Sequence, residues 1–268
     1  MYKYIAGFIG AGSMGGALAQ NVCEKAGCDN IAVVCSNEQS TQVAAKRLGC
    51  NSSSLNSVAA DSKFVFLGVK PQNLNSVADV VKENICKNGG IVVSMLAGVT
   101  LSRLCDVCGT NRVIRIMPNV ACAVSCGMTL VCAADGISAD ELSEFCDLIS
   151  LSGKTDIIDE KLIDAASALA GCGPAFVFQF IEALADGAVK CGLPRTKAYE
   201  YAEQTLLGSS KLALETGSHP AQLKDSVCSP GGSTIEGVKV IETSAFKDIV
   251  TEAVEASYKR NIELGKGK

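Results

Sequence analysis

The chain of 268 residues has a single histidine, His219, and a single Cys-x-x-Cys, Cys105-Asp106-Val107-Cys108. A zinc site needs about four ligands, so the makings of one are missing. The fourteen cysteines lie scattered through apolar stretches without disulfide-framework spacing, and they read as buried thiols of a reducing compartment. Clusters of Lys and Arg are absent as well. With 24 Lys+Arg against 28 Asp+Glu and a formal net charge of −4, the chain has no nucleic-acid footprint. A membrane-spanning helix needs roughly 20 apolar residues. The longest candidate, Ala168 to Ile181, is interrupted by Gly171, Gly173, Pro174 and Gln179 and closed by Glu182. Charged residues are scarce, 19% against 48% hydrophobic, which excludes disorder and supplies a sizeable core. These absences leave a cytoplasmic globular protein that needs neither membrane, metal nor nucleic acid.

What is present is an alternation of short apolar runs and helical patterns. Strands are expected at Tyr4–Ile9, Ile31–Cys35, Phe64–Val69, Ile91–Met95, Arg112–Ile116 and Met128–Cys132, and helices at Met14–Ala26, Glu38–Leu48, Leu74–Ile85, Leu101–Cys108 and Ala139–Leu151. The N-terminal apolar run is too short for a signal sequence and reads as the first strand. Continuous apolar strands joined by helices imply a doubly wound parallel sheet of α/β class. From Leu162 the strand-like runs stop and helical stretches follow: Leu162–Ala170, Ala175–Cys191, Pro194–Glu215, Ala221–Val227, Thr234–Ile241 and Phe246–Leu264, with Pro194 and Pro220 suited to first helical positions. The expected domains are therefore 1–161, a nucleotide-binding sheet, and 162–268, an all-helical unit. The helix 175–191 is apolar around most of its circumference, which calls for burial on every side; a small domain reaches that most easily by dimerising.

Gly10-x-Gly12-x-x-Gly15 follows the first strand and opens a helix, the context in which this spacing binds a dinucleotide. Gly10 allows the tight turn, Gly12 lets a pyrophosphate approach the backbone, and Gly15 lets helix and strand pack. Helix N-terminal N–H groups then hold the phosphates. The second strand ends in Cys35-Ser36-Asn37, with no carboxylate to hold a ribose 2′-hydroxyl or repel a 2′-phosphate. Ser36 and Asn37 can donate hydrogen bonds there, which favours NADP (NADPH) over NAD (NADH). No arginine stands at that point; Lys46 and Arg47 lie one helix later. Further strand ends facing the crevice are Gly68-Val69-Lys70-Pro71, Leu96-Ala97-Gly98, where small residues suit a nicotinamide ring, and Met117-Pro118-Asn119, where Asn119 hydrogen-bonds a ligand or caps a turn.

In the helical part, Ser229-Pro230-Gly231-Gly232-Ser233-Thr234-Ile235-Glu236 combines capping-box spacing, Ser233 to Glu236, with two glycines that leave N–H groups uncovered. The result is a neutral anion cradle with the Thr234 hydroxyl at its rim, suited to a small carboxylate. A second glycine junction, Gly171-Cys172-Gly173-Pro174, reads as close backbone packing. His219, before Pro220, reads as a capping or packing residue.

These residues resemble the pyrroline-5-carboxylate reductase family over essentially the whole chain. The resemblance is carried by Phe8-Ile9-Gly10-Ala11-Gly12-Ser13-Met14-Gly15, Val69-Lys70-Pro71, Ala97-Gly98-Val99-Thr100, Arg115-Ile116-Met117-Pro118-Asn119, Gly173-Pro174-Ala175 and above all Leu223 to Glu236. It implies an N-terminal Rossmann-type sheet with a C-terminal helical dimerisation domain. It implies hydride transfer from NADPH or NADH to the cyclic imine 1-pyrroline-5-carboxylate, giving L-proline. To the cofactor positions read above, Ile9 to Gly15, Ser36, Asn37, Gly68 to Pro71, Leu96, Ala97 and Asn119, the resemblance adds Asn56. It places Gly231, Gly232, Ser233 and Thr234 at the substrate carboxylate, Thr234 near the ring nitrogen. It further implies a homodimer and its assembly into a decamer of five dimers. Cys172 stands where the family usually has serine. A β-hydroxyacid dehydrogenase shares the general plan but needs a lysine where this chain has Val177. A non-catalytic NADP-sensing protein would keep the N-terminal turn without needing Gly231 to Thr234.

Overall fold

The computed structural model describes residues 2–265. Eight strands, β1 (Tyr4–Ile9), β2 (Ile31–Val34), β3 (Asn51–Ser52), β4 (Ser62–Leu67), β5 (Ile91–Ser94), β6 (Val113–Met117), β7 (Gly127–Ala133) and β8 (Gly153–Ile157), form one sheet. Their order is β3-β2-β1-β4-β5-β6-β7-β8, and all neighbours are parallel except β6 and β7. The order runs outward in both directions from β1 and β4, so the crevice at the switch point opens where these two strands end. Between the strands run α1 (Ser13–Ala26), α2 (Glu38–Leu48), α3 (Leu55–Asp61), α4 (Leu74–Asn88), α5 (Leu101–Cys108) and α6 (Ala139–Leu148), and α7 (Ile163–Ala170) follows β8.

The expected apolar strands are buried on both faces. Phe64, Val65, Phe66 and Leu67 of β4 are all inaccessible to solvent. Phe8 stacks on Phe66 at 4.3 Å between ring centroids, and Phe66 meets Phe145 of α6 at 6.0 Å. The opposite face buries Ile9, Val65, Leu67 and Val92 beneath α3 and α4.

Helices α2 and α5 match their expected bounds. Strand β4 sits two residues earlier than Phe64–Val69, because Ser62 is buried and pairs with Tyr4 while Val69 lies past the end of the ladder. Helix α6 stops at Leu148 rather than Leu151, giving way to a 3-10 turn, Ser150–Ser152, before Gly153. Strands β3 and β8 and helix α3 have no counterpart among the sequence expectations. The strands are polar or alternating, and β8 is an edge strand with Lys154 and Asp156 exposed. Helix α3 is seven residues long.

On the outer face, Arg112 pairs with Glu141 at 2.6 Å, and Glu141 also accepts from the Ser138 N–H as the capping box of α6. The hydrogen bonds from Arg112 and then Ser138 hold the Glu141 carboxyl at about 2 against an ordinary 4.5. A depressed carboxyl stabilises the fold above its unfolded pKa and stops doing so as pH falls through its folded one. Denaturant midpoints are expected to drop between pH 4.5 and 2, and Glu141→Gln to flatten that part of the profile. An unchanged profile would remove the pair from the acid response.

The chain divides into two compact units: residues up to Cys172 together with those from Ser257 on, and Gly173–Ala256. The division falls after Cys172 rather than at the expected 161/162. Ile163 of α7 is buried with Leu130 and Cys132 of β7, which ties that helix to the sheet. The end of the last helix also joins the first unit, where Asn261 donates to the Asp164 carbonyl at 3.0 Å.

The second unit holds α8 (Gly173–Lys190), α9 (Arg195–Thr216), α10 (Pro220–Val227), α11 (Ser233–Glu242) and most of α12 (Phe246–Gly265). Helices α8 and α9 pack closely, with Ala185, Ala198 and Ala202 buried. Pro194 stands at the N-cap of α9 rather than inside it, whereas Pro220 takes the first position of α10. Within one chain α8 is not buried all round: Ala185 is its one buried residue, while Val177, Phe178 and Leu184 are exposed. The interruption at Gly171 is also milder than the sequence implies, since α7 and α8 are separated by a two-residue turn. By length and composition alone the stretch Glu160–Lys190 could cross a membrane.

Candidate active site

The turn after β1 is built from backbone. Gly10 N–H donates to the Val34 carbonyl at 2.7 Å, and Gly68 N–H to the Ile9 carbonyl at 2.8 Å. Gly10 has φ +98°, and a Cβ there would lie 2.6 Å from the Gly68 oxygen. A Cβ at Gly15 would lie 2.3 Å from the Gly10 oxygen, so this glycine lets α1 close on the turn. A Cβ at Gly12 would meet nothing within 4 Å, which leaves the open side to a ligand. Gly12 is the N-cap of α1 and no side chain caps that helix, so the N–H groups of Ser13, Met14 and Gly15 begin an uncapped, positively polarised helix end.

Beside the turn lies a cavity of about 890 Å³. Of the expected residues, Ile9, Gly10, Ala11, Gly12, Ser36, Asn37 and Val69 line it. The remaining wall comes from Val34 and Cys35 at the end of β2, from α2, with Gln39, Ser40, Val43, Ala44 and Arg47, and from Leu55, Asn73, Ser76 and Val77. Asn37 caps α2, its Oδ1 accepting from Ser40 N–H at 2.8 Å. Ser36 carries no such commitment among the described hydrogen bonds.

Several expected positions stand elsewhere. Asn56 points from α3 to α4, where its Oδ1 accepts from Asn84 at 2.9 Å; its neighbour Leu55 is the residue that faces the cavity. Asn119 has a bridging job: its Oδ1 accepts from Ala121 N–H at 3.2 Å and Met128 N–H at 3.3 Å, and its amide donates to the Ala170 carbonyl at 2.9 Å. This fits the turn-capping alternative and ties β6 to the end of α7. Gly68 lies behind Gly10, and Lys70 is exposed ahead of the 3-10 turn Pro71–Asn73. Leu96 is 1% exposed and belongs to the core, leaving Ala97 and Gly98 at the surface of that loop.

Arg47 is not among the expected cofactor residues. It lies in the last turn of α2, yet its Nη2 donates to the Ala11 carbonyl at 3.1 Å and it lines the cavity. Helical spacing puts Ser40, Val43, Ala44 and Arg47 on one face of α2. The doublet Gly15-Gly16 carries the remaining signal, for a Cβ at Gly16 would lie 2.3 Å from that guanidinium nitrogen.

In the second unit, Gly231 has φ +69° and Gly232 N–H donates to the Ser229 carbonyl at 3.0 Å. Gly232, not Ser233, is the N-cap of α11, and no side chain caps it. The expected box between Ser233 and Glu236 is therefore not formed, because Ser233 is already the first helical residue. The N–H groups of α11's first turn and the exposed Thr234 hydroxyl stand free of a capping side chain. His219 caps α10, its Nδ1 accepting from Ala221 N–H at 3.2 Å. A Cβ at Gly173 would meet nothing within 4 Å, so the packing expected there is not made within this chain; Gly171 does press on the Ser167 carbonyl.

A doubly wound sheet with an uncapped glycine turn at its switch point, followed by a helical domain with a second uncapped glycine turn, defines a Rossmann-type dinucleotide oxidoreductase. Residues 5–98 match a family described as NADP oxidoreductase coenzyme F420-dependent, and residues 160–264 one described as pyrroline-5-carboxylate reductase dimerisation. The pyrroline-5-carboxylate reductase of Methanosarcina acetivorans is 41% identical over 97% of both chains, and that of Escherichia coli 36% identical over 97% of this chain and 98% of its own. The structure of Plasmodium falciparum pyrroline carboxylate reductase with NADP bound superposes with a TM-score of 0.87 at 30% identity, covering 99% of this chain and 100% of the other. The chain belongs to the pyrroline-5-carboxylate reductase family.

Proposed function

We propose that this chain reduces 1-pyrroline-5-carboxylate to L-proline with NADPH. The observation that carries the reading is the occurrence, in one chain matched end to end by the family, of two uncapped glycine-led helix starts: Gly10 to Gly15 for phosphates and Gly231 to Thr234 for a carboxylate. Bound NADPH supplies the hydride, which goes to the imine carbon while the ring nitrogen ends as an amine. The chain's own part is to orient. The backbone of Gly12 to Gly15 receives the diphosphate, and Ser36 and Asn37 receive the ribose 2′-phosphate where a carboxylate would repel it. Val69 and the loop residues Ala97 and Gly98 flank the cofactor. The first turn of α11 receives the substrate carboxylate, and the Thr234 hydroxyl hydrogen-bonds the ring nitrogen. Holding the reacting carbons at about 3–3.5 Å can supply about 7–11 kcal/mol of the barrier. A protonated imine is electrophilic enough to need no strong general acid.

The dimerisation domain pairs two chains through the exposed apolar surface of α8, a reading that accounts for Glu160–Lys190 without a membrane. Five such dimers would form a decamer, acting in the cytoplasm. In this reading the sheet unit serves the cofactor, and substrate binding and pairing fall to the helices of Gly173–Ala256 within the expected 162–268.

NADPH oxidation is expected on addition of 1-pyrroline-5-carboxylate; no turnover with either NADPH or NADH would sink the reading. Thr234→Ala is expected to lower kcat/KM about 10- to 100-fold, the worth of one hydrogen bond to a charged centre, with NADPH affinity unchanged. Unaltered kinetics would take Thr234 out of the site.

A further inference from the structure

We infer that Arg47 is the cationic ligand for a cofactor phosphate and a determinant of how tightly the phosphate-rich dinucleotide is held; the inference rests on the reading of the cavity as an NADPH site. Arg47 is the one charged residue among those lining the cavity. The other walls are apolar or neutral, so a bound phosphate would meet hydroxyls, side-chain amides, backbone N–H groups and this single cation. The guanidinium is already fixed in place. Its Nη2 donates to the Ala11 carbonyl at 3.1 Å, inside the glycine turn itself. The absence of a side chain at Gly16 makes the room, since a Cβ there would sit 2.3 Å from Nη2 and 3.1 Å from the Ala11 oxygen. One of five N–H donors is used in that contact. The fork can therefore keep its hold on the turn while presenting other donors to phosphate oxygens, a geometry a lysine does not reproduce. Because α2 follows β2 closely and Arg47 reaches back from its last turn, the charge enters the site from eleven residues beyond Ser36.

Two phosphates could take this cation, the 2′-phosphate and the diphosphate, and paired titrations separate them. Calorimetric titration of NADPH and of NADH into wild type, Arg47→Met, Arg47→Lys and Gly16→Ala is the test. Arg47→Met is expected to weaken NADPH about tenfold and to make its binding less steeply dependent on salt. Arg47→Lys is expected to recover part of that loss. Gly16→Ala, which displaces the guanidinium without removing its charge, is expected to fall between. A loss confined to NADPH places the guanidinium at the 2′-phosphate; an equal loss with NADH places it at the diphosphate. Arg47→Met that unfolds at the wild-type temperature and binds both nucleotides as wild type does overturns the assignment. Failure of wild type itself to bind NADPH would instead refute the cofactor reading on which it rests.

Discussion

Gly10→Ala is expected to cost about 100-fold in NADPH affinity and to lower thermal stability as well. Two independent costs combine. The backbone at Gly10 has φ +98°, which an L side chain rarely adopts. The added methyl would also lie 2.6 Å from the Gly68 oxygen, 2.7 Å from the Gly68 carbonyl carbon and 3.1 Å from the Val69 nitrogen. All three are backbone atoms of the neighbouring strand end, so no side chain can rotate away. Relief requires moving the turn off β4, and the turn is what aims the N–H groups of α1. Gly12→Ala supplies the contrast: nothing in the chain lies within 4 Å of its Cβ, so this variant should fold normally and fail only where the ligand comes close. Fluorescence titration with NADPH checks both. Wild-type affinity in a folded Gly10→Ala chain would contradict the placement of the cofactor on this turn.

Glu160→Ala is expected to be the most destabilising single change outside the core. Arg115 in β6 has a side chain 3% exposed, and it donates through Nη1 to Glu160 at 2.8 Å with Asp164 at 3.6 Å. Its Nε has no hydrogen-bond partner among the described residues. The same Glu160 oxygen accepts from the Leu101 N–H at 2.6 Å, at the start of α5. Removing the carboxylate leaves a buried guanidinium underpaired and a helix N–H unsatisfied, worth about 3 kcal/mol, or a fall in Tm of about 6–12 °C at a sensitivity of about 2–4 °C per kcal/mol. The double change Arg115→Met, Glu160→Leu removes the uncompensated charge and should restore most of the loss. Thermal denaturation of the single and double variants checks this; a double variant as unstable as Glu160→Ala would mean the damage comes from α5 and α7 rather than from the buried charge.

The features legible in the sequence share one property: they are local. The three glycines of the first turn could be assigned their separate duties from spacing alone, and the structure gives Gly10, Gly12 and Gly15 surroundings that fit those duties. Continuous apolar strands announced burial on both faces, and Phe64 to Leu67 show it. Features that depend on reach were not legible. Arg47 is thirteen residues beyond Val34, the strand end it serves, and only the helical repeat of α2 and the spare glycine at position 16 hint at it. Asn119 was open between ligand and turn because either partner suits an amide; its three hydrogen bonds within the chain fit the turn. The cap of α11 fell one residue early, since Gly232 can take the N-cap conformation that Ser233 would otherwise occupy. Strand β8 escaped because an edge strand with Lys154 and Asp156 outward lacks the apolar run used to find the others.

In the proposed reaction hydride passes from the nicotinamide to the imine carbon of a carboxylate-bearing ring. NADPH deuterated at the transferring position, followed through turnover with 1-pyrroline-5-carboxylate, tests that transfer. L-proline carrying one deuterium on the ring carbon next to nitrogen and remote from the carboxylate is the expected product. Proline without the label at that carbon, or label lost to water, would contradict it.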